Sequence, residues 1–376
     1  MLNLSEAGCF FWGCSMWVAA STEQLLTPTA VALGKFDGVH LGHQRVIQPI
    51  LHSAVSENGR GNGDKLPKYS PDHPSQLLTV PSSPNHTYST VVTFDPHPQE
   101  FFTGQPRALL TPLDEKVEQL RSLGVEQLVL LPFDRELSAL SPEDFVKKIL
   151  VEKLQCQKIS VGEDFCFGKK RMGNAKDLQI IAAQYNIPVT IVPIQTDTVN
   201  FPNNTDNIPN DFTEDGRIST SSIRQSLELG DMTRATRLLG RPYSLTGVVI
   251  TGQKLGRTIG FPTANLQLPK DKFLPRLGVY AVRVFIHSET PDTAPVEKLG
   301  VKLGVMNIGN RPTINGTYST IEVHLFDWSG DLYGKTLVVE LVKFLRPEQK
   351  FADIEALKTQ IQLDCTIAKE ILNRTY

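Results

Sequence analysis

The chain has no surplus of either charge: 38 Lys and Arg stand against 40 Asp and Glu, a net charge of -2 over 376 residues. That leaves neither the basic footprint of a nucleic-acid binder nor a polyanionic tail. Cysteine is scarce as well. The five, Cys9, Cys14, Cys156, Cys166 and Cys365, are odd in number and form no CxxC pair or Cys/His cluster. They read as free thiols in a reducing compartment, which places the protein in the cytoplasm. Long apolar runs are missing too. The one candidate, "CFFWGCSMWVAAS" from Cys9 to Ser21, lacks a basic flank and is too short to span a bilayer. Residues 1–15 read more simply as a non-native or disordered extension ahead of a start near Met16. No internal repeat is evident, and 40% hydrophobic with 21% charged residues is the balance of an ordinary globular protein. The length suggests two domains or three, and small-molecule work is what remains.

Two segments, 56–90 and 196–215, are rich in polar and turn-forming residues, and read as insertions forming surface loops. Around them, strand-like and helix-like stretches alternate. "TAVALG" from Thr29 is a buried strand, followed by a helical spacing of Val46, Ile47, Ile50, Leu51 and Ala54. "STVVTF" from Ser89, "QLVLLPF" from Gln127, "KISVG" from Lys158 and "VTIVPI" from Val189 follow as strands, with helices over 113–123, 142–154 and 175–185. That order predicts a doubly wound parallel α/β sheet over residues 16–240, with ligands bound beyond the carboxyl ends of its strands. From residue 241 the texture changes to short strands separated by Gly, Asn, Asp and Pro, closing with a helix over 351–372. This predicts a small antiparallel barrel with a C-terminal helix.

Within "GKFDGVHLGHQRVI", His40 and His43 lie where a strand hands over to a helix, beside Gly34, Phe36 and Gly38. Free N–H groups and close backbone approach at such a junction suit a phosphate; a metal pair and ordinary structural histidines are the competing readings. "TFDPHP" carries His97 on a loop between prolines, and "VGEDFCFGKKRMG" sets Asp164, Phe165 and Phe167 before three basic residues. The second suits a flat ring beside phosphates, or is simply an exposed basic loop. "ISTSSIR" offers Ser219, Ser221 and Arg224 at a helix start, as a cap or as a triphosphate clamp. "GQKLGRTIGFPTANL" combines Gly252, Gly256 and Gly260 with Arg257, and places the oxygen donors Thr263 and Asn265 two residues apart on one face of an extended segment. Few and hard oxygen donors suit Mg²⁺ carried on nucleotide phosphates, and the order is not that of a Walker A loop. In "TIEVHLFDW", Glu322 alternates with Ile321 and Val323; placed inside the barrel it is a candidate general base, and on the outer face a solvated charge.

Taken together, these motifs resemble the bacterial bifunctional riboflavin kinase/FMN adenylyltransferases, from about Met16 to the end apart from the two insertions. The resemblance implies a nucleotidyltransferase-like first domain making FAD from FMN and ATP, and a barrel kinase making FMN from riboflavin and ATP. His40 and His43 match the HxGH pair, Ser219, Ser221 and Arg224 the second phosphate motif, and the loop from Gly162 to Gly168 the flavin and nucleotide loop. Glu322 matches the catalytic glutamate, and Thr263 and Asn265 the PTAN residues that hold Mg²⁺ and ATP phosphates. Lys35 stands where the family often has Asn, and Cys166 where it often has Arg. The implied partners are riboflavin, FMN and ATP, with Mg²⁺ and no tightly bound redox cofactor; neither nucleic acid nor membrane is expected, and weak self-association is allowed for. HxGH occurs in other nucleotidyltransferases, but PTAN followed by Glu322 argues against those. A flavin-binding regulatory protein would need a basic DNA-reading helix, and none is evident.

Overall fold

The computed structural model describes residues 16–52, 86–197, 216–252, 255–287, 300–313 and 316–374. The expected extension over 1–15, most of the 56–90 insertion and most of 196–215 lie outside these. Two compact units emerge from the contacts: residues 1–106 with 116–194, and residues 107–115 with 195–376.

The first unit runs β1 (Trp17–Ala19), β2 (Thr29–Leu33), α1 (Leu41–Ile47), β3 (Tyr88–Asp95), α2 (Pro98–Thr103), α3 (Leu113–Ser122), β4 (Gln127–Pro132), α4 (Arg135–Ala139), α5 (Pro142–Phe145), β5 (Cys156–Gly162), β6 (Cys166–Phe167), β7 (Gly173–Asn174), α6 (Ala175–Ala183) and β8 (Val189–Val192). The first turn of α3 clusters with the second unit. Six strands form one parallel sheet in the order β1-β4-β3-β2-β5-β8. Alternation explains why it is buried on both sides. Val31, Leu33, Val92 and Val129 enter one core cluster, while Ala30, Ala32, Val91 and Leu128 enter another. Strands apolar on both faces need helices on both faces, which is the doubly wound arrangement the sequence predicts. The chain lays β3 and β4 to one side of β2, then crosses to β5 and β8 on the other, so the loop after β2 sits at the switch point where such sheets bind ligands.

Several boundaries differ from the sequence expectation. Helix α1 ends at Ile47 and passes into a 3-10 turn, Gln48–Ile50, because Pro49 has no N–H to continue the ladder; Ala54 lies outside the described residues. The strand expected from Ser89 starts at Tyr88, so the end of the 56–90 insertion belongs to it, with Ser89 and Thr90 fully buried. The expected helix over 142–154 is α-helical only to Phe145 and π-helical over Val146–Lys153. The wider π pitch brings Phe145, Val146, Ile149, Leu150 and Leu154, all core residues, closer to one face.

The second unit contains α7 (Thr220–Leu229), α8 (Met232–Leu239), β9 (Tyr243–Ile250), α9 (Leu255–Thr258), β10 (Ala264–Gln267), β11 (Gly278–His287), β12 (Lys302–Thr313), β13 (Gly316–Leu325), β14 (Thr336–Arg346) and α10 (Ile354–Asn373). Its strands close an antiparallel barrel in the order β10-β13-β12-β11-β14-β9. Ile321, Val323 and Leu325 of β13 point into the barrel core, where Leu227, Ala235 and Leu239 of α7 and α8 also pack. Val279, Ala281, Val305 and Phe326 instead form an outer patch covered by Ala368 and Leu372 of α10. Of the two placements the sequence left open for Glu322, the barrel takes the outer one. Strand alternation puts Glu322 on the outer face with His324, and an apolar interior gives a lone carboxylate nothing to pair with.

One buried charge is tolerated because it is paired: Lys272 donates from Nζ to the Glu115 carboxylate and to the Leu110 carbonyl. Burial raises the Glu115 carboxyl against the opposing pull of Lys272, and burial lowers nearby Arg241 to about 10. The described thiols are unpaired, and burial pushes Cys156 up to about 12, while burial and then the Asp364 charge push Cys365 up to about 11. Both are inert thiols at neutral pH. No helix among the described residues is long and apolar enough to cross a membrane.

Candidate active sites

In the first unit, the turn between β2 and α1 holds the histidine pair by strain and burial. Phe36 and Val39 adopt φ of 48° and 41° although neither is glycine, and their side chains are 0% and 1% exposed. A left-handed conformation at a bulky residue persists only where packing over-determines it. Phe36 and Val39 are locked into the core cluster beneath α1. Thr93 of β3 donates to the Lys35 carbonyl at 3.0 Å and the Gln44 amide to the Val39 carbonyl at 3.0 Å.

His40, 6% exposed, is the N-cap of α1, and its Nδ1 accepts the His43 N–H at 3.3 Å. A neutral ring that accepts at Nδ1 carries its proton at Nε2, so the cap also sets the tautomer. The two imidazoles stack at 3.6 Å between centroids, 18° apart, and His43 meets the Phe36 ring at 5.2 Å. The result is an Nε2–H donor on His40 stacked beside the His43 ring at the mouth of the sheet.

The neighbouring strands supply the other two loops. After β3, His97 caps α2: its Nδ1 accepts from Gln99 N–H at 3.1 Å, and Glu100 returns a bond to the His97 N–H at 3.2 Å. After β5, Phe167 is 5% exposed, packed against Phe145 and under Gly173, while the half-buried Phe165 ring stacks on it at 5.8 Å. Asp164 is exposed and Phe165 half-exposed, so they are the members of this loop placed to meet a ligand; Phe167 supports them from the core.

The third motif, "ISTSSIR", belongs to the second unit. Ser219 caps α7 by accepting the Ser222 N–H at 3.2 Å, Ser221 is exposed, and Arg224 donates to the Ala108 carbonyl with its guanidinium 4.7 Å above the Phe273 ring. The cap is therefore made at Ser219, while Arg224 is held by a backbone carbonyl and an aromatic ring.

Around the barrel's outer face lies a cavity of about 290 Å³, bordered by Thr263, Asn265, Asn307, Glu322, Arg346 and Phe351. This is close to the small end of ligand-pocket sizes. Register explains the meeting of three polar groups. On β13, Glu322 pairs across to Asn265 of β10 on one side and to Asn307 of β12 on the other. The glycines seat the loop ahead of β10. A side chain at Gly252 would stand 2.2 Å from the Asn265 amide, and one at Gly256 would stand 2.3 Å from the Phe261 carbonyl. His324, next along the outer face from Glu322, has Nδ1 2.8 Å from the Pro262 carbonyl, tying that loop to β13. Arg257 and Gly260 lie on the exposed side of the loop.

The cavity is closed by α10, held in place by an ion pair. Asp364, 3% exposed, accepts two bonds from Arg346 Nε at 3.0 Å and one from Nη2 at 2.8 Å, and Gln360 adds a further donor at 3.0 Å. Asn307, Arg346 and Asp364 were not singled out from sequence. A strand residue flanking Glu322 is found only once register is known; Asp364 did leave a signal, as a charge on the apolar stripe formed by Ile361, Ala368 and Leu372.

Residues 22–61 and 76–200 match the FAD synthetase family, and residues 239–372 match the riboflavin kinase family. The chain is 35% identical over 354 residues to the bifunctional riboflavin kinase/FMN adenylyltransferase of Haemophilus influenzae, covering 94% of this chain and 97% of that one. It is 36% identical over 347 residues to the Escherichia coli K12 protein of the same description, covering 92% and 93%, and 35% identical over 345 residues to that of Bacillus subtilis, covering 89% and 90%. A Streptococcus pneumoniae crystal structure described as a macrolide-efflux protein aligns with a TM-score of 0.71 at 26% identity, over 94% of this chain and 98% of its own. With two sites built on two folds and relatives of this kind along nearly its whole length, the chain belongs to the bifunctional riboflavin kinase/FMN adenylyltransferase family.

Proposed function

We propose that the barrel unit phosphorylates riboflavin with ATP to give FMN, and that the parallel-sheet unit transfers the adenylyl group of ATP to FMN to give FAD and pyrophosphate. The carrying observation is the outer-face cavity, where Glu322 stands in register between Asn265 and Asn307, with Thr263 beside them. In the kinase step a neutral ribityl hydroxyl must lose its proton as its oxygen attacks the γ-phosphorus and ADP leaves. Glu322 takes that proton. Asn265 and Asn307 flank the carboxylate and hold the hydroxyl to one side of it. Thr263 and Asn265 offer the hard oxygen donors Mg²⁺ prefers, in a cradle that a side chain at Gly252 would fill. Mg²⁺ held there supplies neutralisation of phosphate charge. Gly252, Gly256 and Gly260 let the loop close on the phosphates, and Arg257 adds charge at its rim.

In the adenylyl step the attacking FMN phosphate is already anionic, and no base is required. An FMN oxygen forms the new bond to the α-phosphorus while the bond to pyrophosphate breaks. The need is for donors at the oxygens that gain charge, which His40 and His43 supply, with Gly34, Phe36 and Gly38 shaping the turn. Asp164 and Phe165 face the flavin, Phe167 backs them, and His97 shapes the adjoining loop as a cap. Ser219, Ser221 and Arg224 are assigned to phosphate binding on their sequence match. The reading places the enzyme in the cytoplasm, on small-molecule substrates, and allows for weak self-association.

The test is a chromatographic time course with purified protein, riboflavin, ATP and Mg²⁺. FMN should appear first and FAD later. Glu322→Gln should slow FMN formation by about 10²–10⁴-fold while still converting supplied FMN to FAD; loss of both conversions in a folded variant would overturn the division of labour.

A further inference from the structure

Away from both sites, two histidines and a glutamate of the first unit converge. His86 Nε2 lies 2.8 Å from Glu126 Oε1, His52 Nε2 lies 3.3 Å from Glu126 Oε2, and the two imidazole centroids are 5.0 Å apart. All three ligand-type atoms fall within 4.8 Å of one another. We propose that His52, His86 and Glu126 form a binding site for a divalent transition ion of the zinc class.

The donor set favours that ion over its competitors. Two imidazoles and one carboxylate are the nitrogen-rich mixture that Zn²⁺ takes at three-ligand sites, whereas Mg²⁺ and Ca²⁺ prefer oxygen alone. Spacing agrees as well. Bonds of about 2.0–2.1 Å in a tetrahedron put neighbouring ligand atoms about 3.3 Å apart; His52 Nε2 and Glu126 Oε2 stand at 3.3 Å, and the 2.8 Å contact of His86 Nε2 with Oε1 is a hydrogen bond that must open slightly for an ion to enter. A simple ion pair needs one imidazole per carboxylate; here one carboxylate has gathered two.

The supporting contacts are those a metal site uses. Ligating carboxylates are themselves hydrogen-bonded, which fixes their orientation. Glu126 Oε2 accepts the Ser89 N–H at 2.8 Å and the Ser89 hydroxyl at 3.0 Å, leaving Oε1 toward His86. His86 is steadied edge-on against Tyr88 at 4.6 Å. The side chains of His86 and Glu126 are 16% and 22% exposed, while that of His52 is 53% exposed, so two ligands are preset and the third can close from solvent. His52 and His86 bracket residues 53–85 in the chain, and an ion joining both to Glu126 would fasten the two ends of that segment together. A clip of this kind removes loop-closure entropy from the unfolded chain.

The experiment titrates Co²⁺, then Zn²⁺, into full-length protein freed of metal by a chelator, reading cobalt's visible bands and the metal content per chain. One Co²⁺ per chain with a tetrahedral spectrum, displaced by Zn²⁺, is expected. His52→Ala, His86→Ala and Glu126→Gln should each weaken binding by more than about tenfold, and His43→Ala should leave it unchanged. His52→Ala alters an exposed side chain and so separates lost binding from lost folding. Absent binding, or binding unaltered in folded His52→Ala and Glu126→Gln, overturns the site, as does a spectrum lost in His43→Ala alone.

Discussion

The two units handle the same nucleotide with opposite constructions. In the parallel-sheet unit the groups proposed to react, His40 and His43, stand on a turn, kept in place by the left-handed residues Phe36 and Val39 driven into the core. In the barrel unit they stand on strands, where Glu322 is fixed by pairing with β10 and β12. The chemistry asks for this difference. Donors that follow charge onto a leaving pyrophosphate must be fixed but need no acid-base partner, so a rigid turn at a strand end suffices. A base must meet one particular hydroxyl, and ladder hydrogen bonds on both sides of β13 hold it more tightly than a loop could.

The largest expected effect tests the turn. His43→Ala removes one donor while leaving the His40 cap, whose partner is the backbone N–H of residue 43. FAD formation should fall by about 10²–10³-fold, or about 3–4 kcal/mol, with FMN formation from riboflavin unchanged. Steady-state rates for the two conversions, measured separately, decide it. Equal losses in both would end the contrast between the sites.

Next in size is the barrel's closure. Asp364→Ala leaves the Arg346 guanidinium, whose side chain is 17% exposed, without its partner. Breaking such a pair should cost about 3 kcal/mol of stability, read as a fall in the urea midpoint of the second unit. α10 would loosen over the cavity, and the KM for riboflavin should rise while FAD formation from FMN is spared. If FMN formation holds while stability falls, α10 is a support for the barrel and not a wall of its site.

Much of this was legible in advance, for physical reasons that also mark where legibility stops. Apolar strands such as Thr29–Leu33 announce burial on both faces, and the crossover helices follow from that. Alternation in β13 separated Ile321, Val323 and Leu325 from Glu322, His324 and Phe326 correctly. Which face turns inward was left open for Glu322, and packing decides it, because the interior takes Ile321, Val323 and Leu325. The π-helical stretch after Phe145 and the packing of α7 and α8 into the barrel core were not legible, since a helix's period shows that it has an apolar face and not what covers it. Asn307 waited on register for the same kind of reason: alternation names a face, and only pairing names a neighbour.

The smallest effect separates support from contact at the second loop of the parallel sheet. His97, on a loop between prolines after a strand, stands among the candidate flavin-binding residues. Its Nδ1, however, accepts the Gln99 N–H, and Glu100 completes the box by accepting the His97 N–H. A ring nitrogen committed to the first turn of α2 is set by that turn. His97→Ala should therefore cost about 1 kcal/mol of stability, the usual worth of an N-cap, with the KM for FMN unaltered. His97→Asn keeps a capping oxygen and should restore the lost stability. Were His97 a flavin ligand, Asn would rescue folding but not affinity, and the KM for FMN would rise in both variants. Thermal melts and FMN-dependent rates on the two proteins thus show whether this loop, like the turn beside it, presents its functional atoms through a braced backbone.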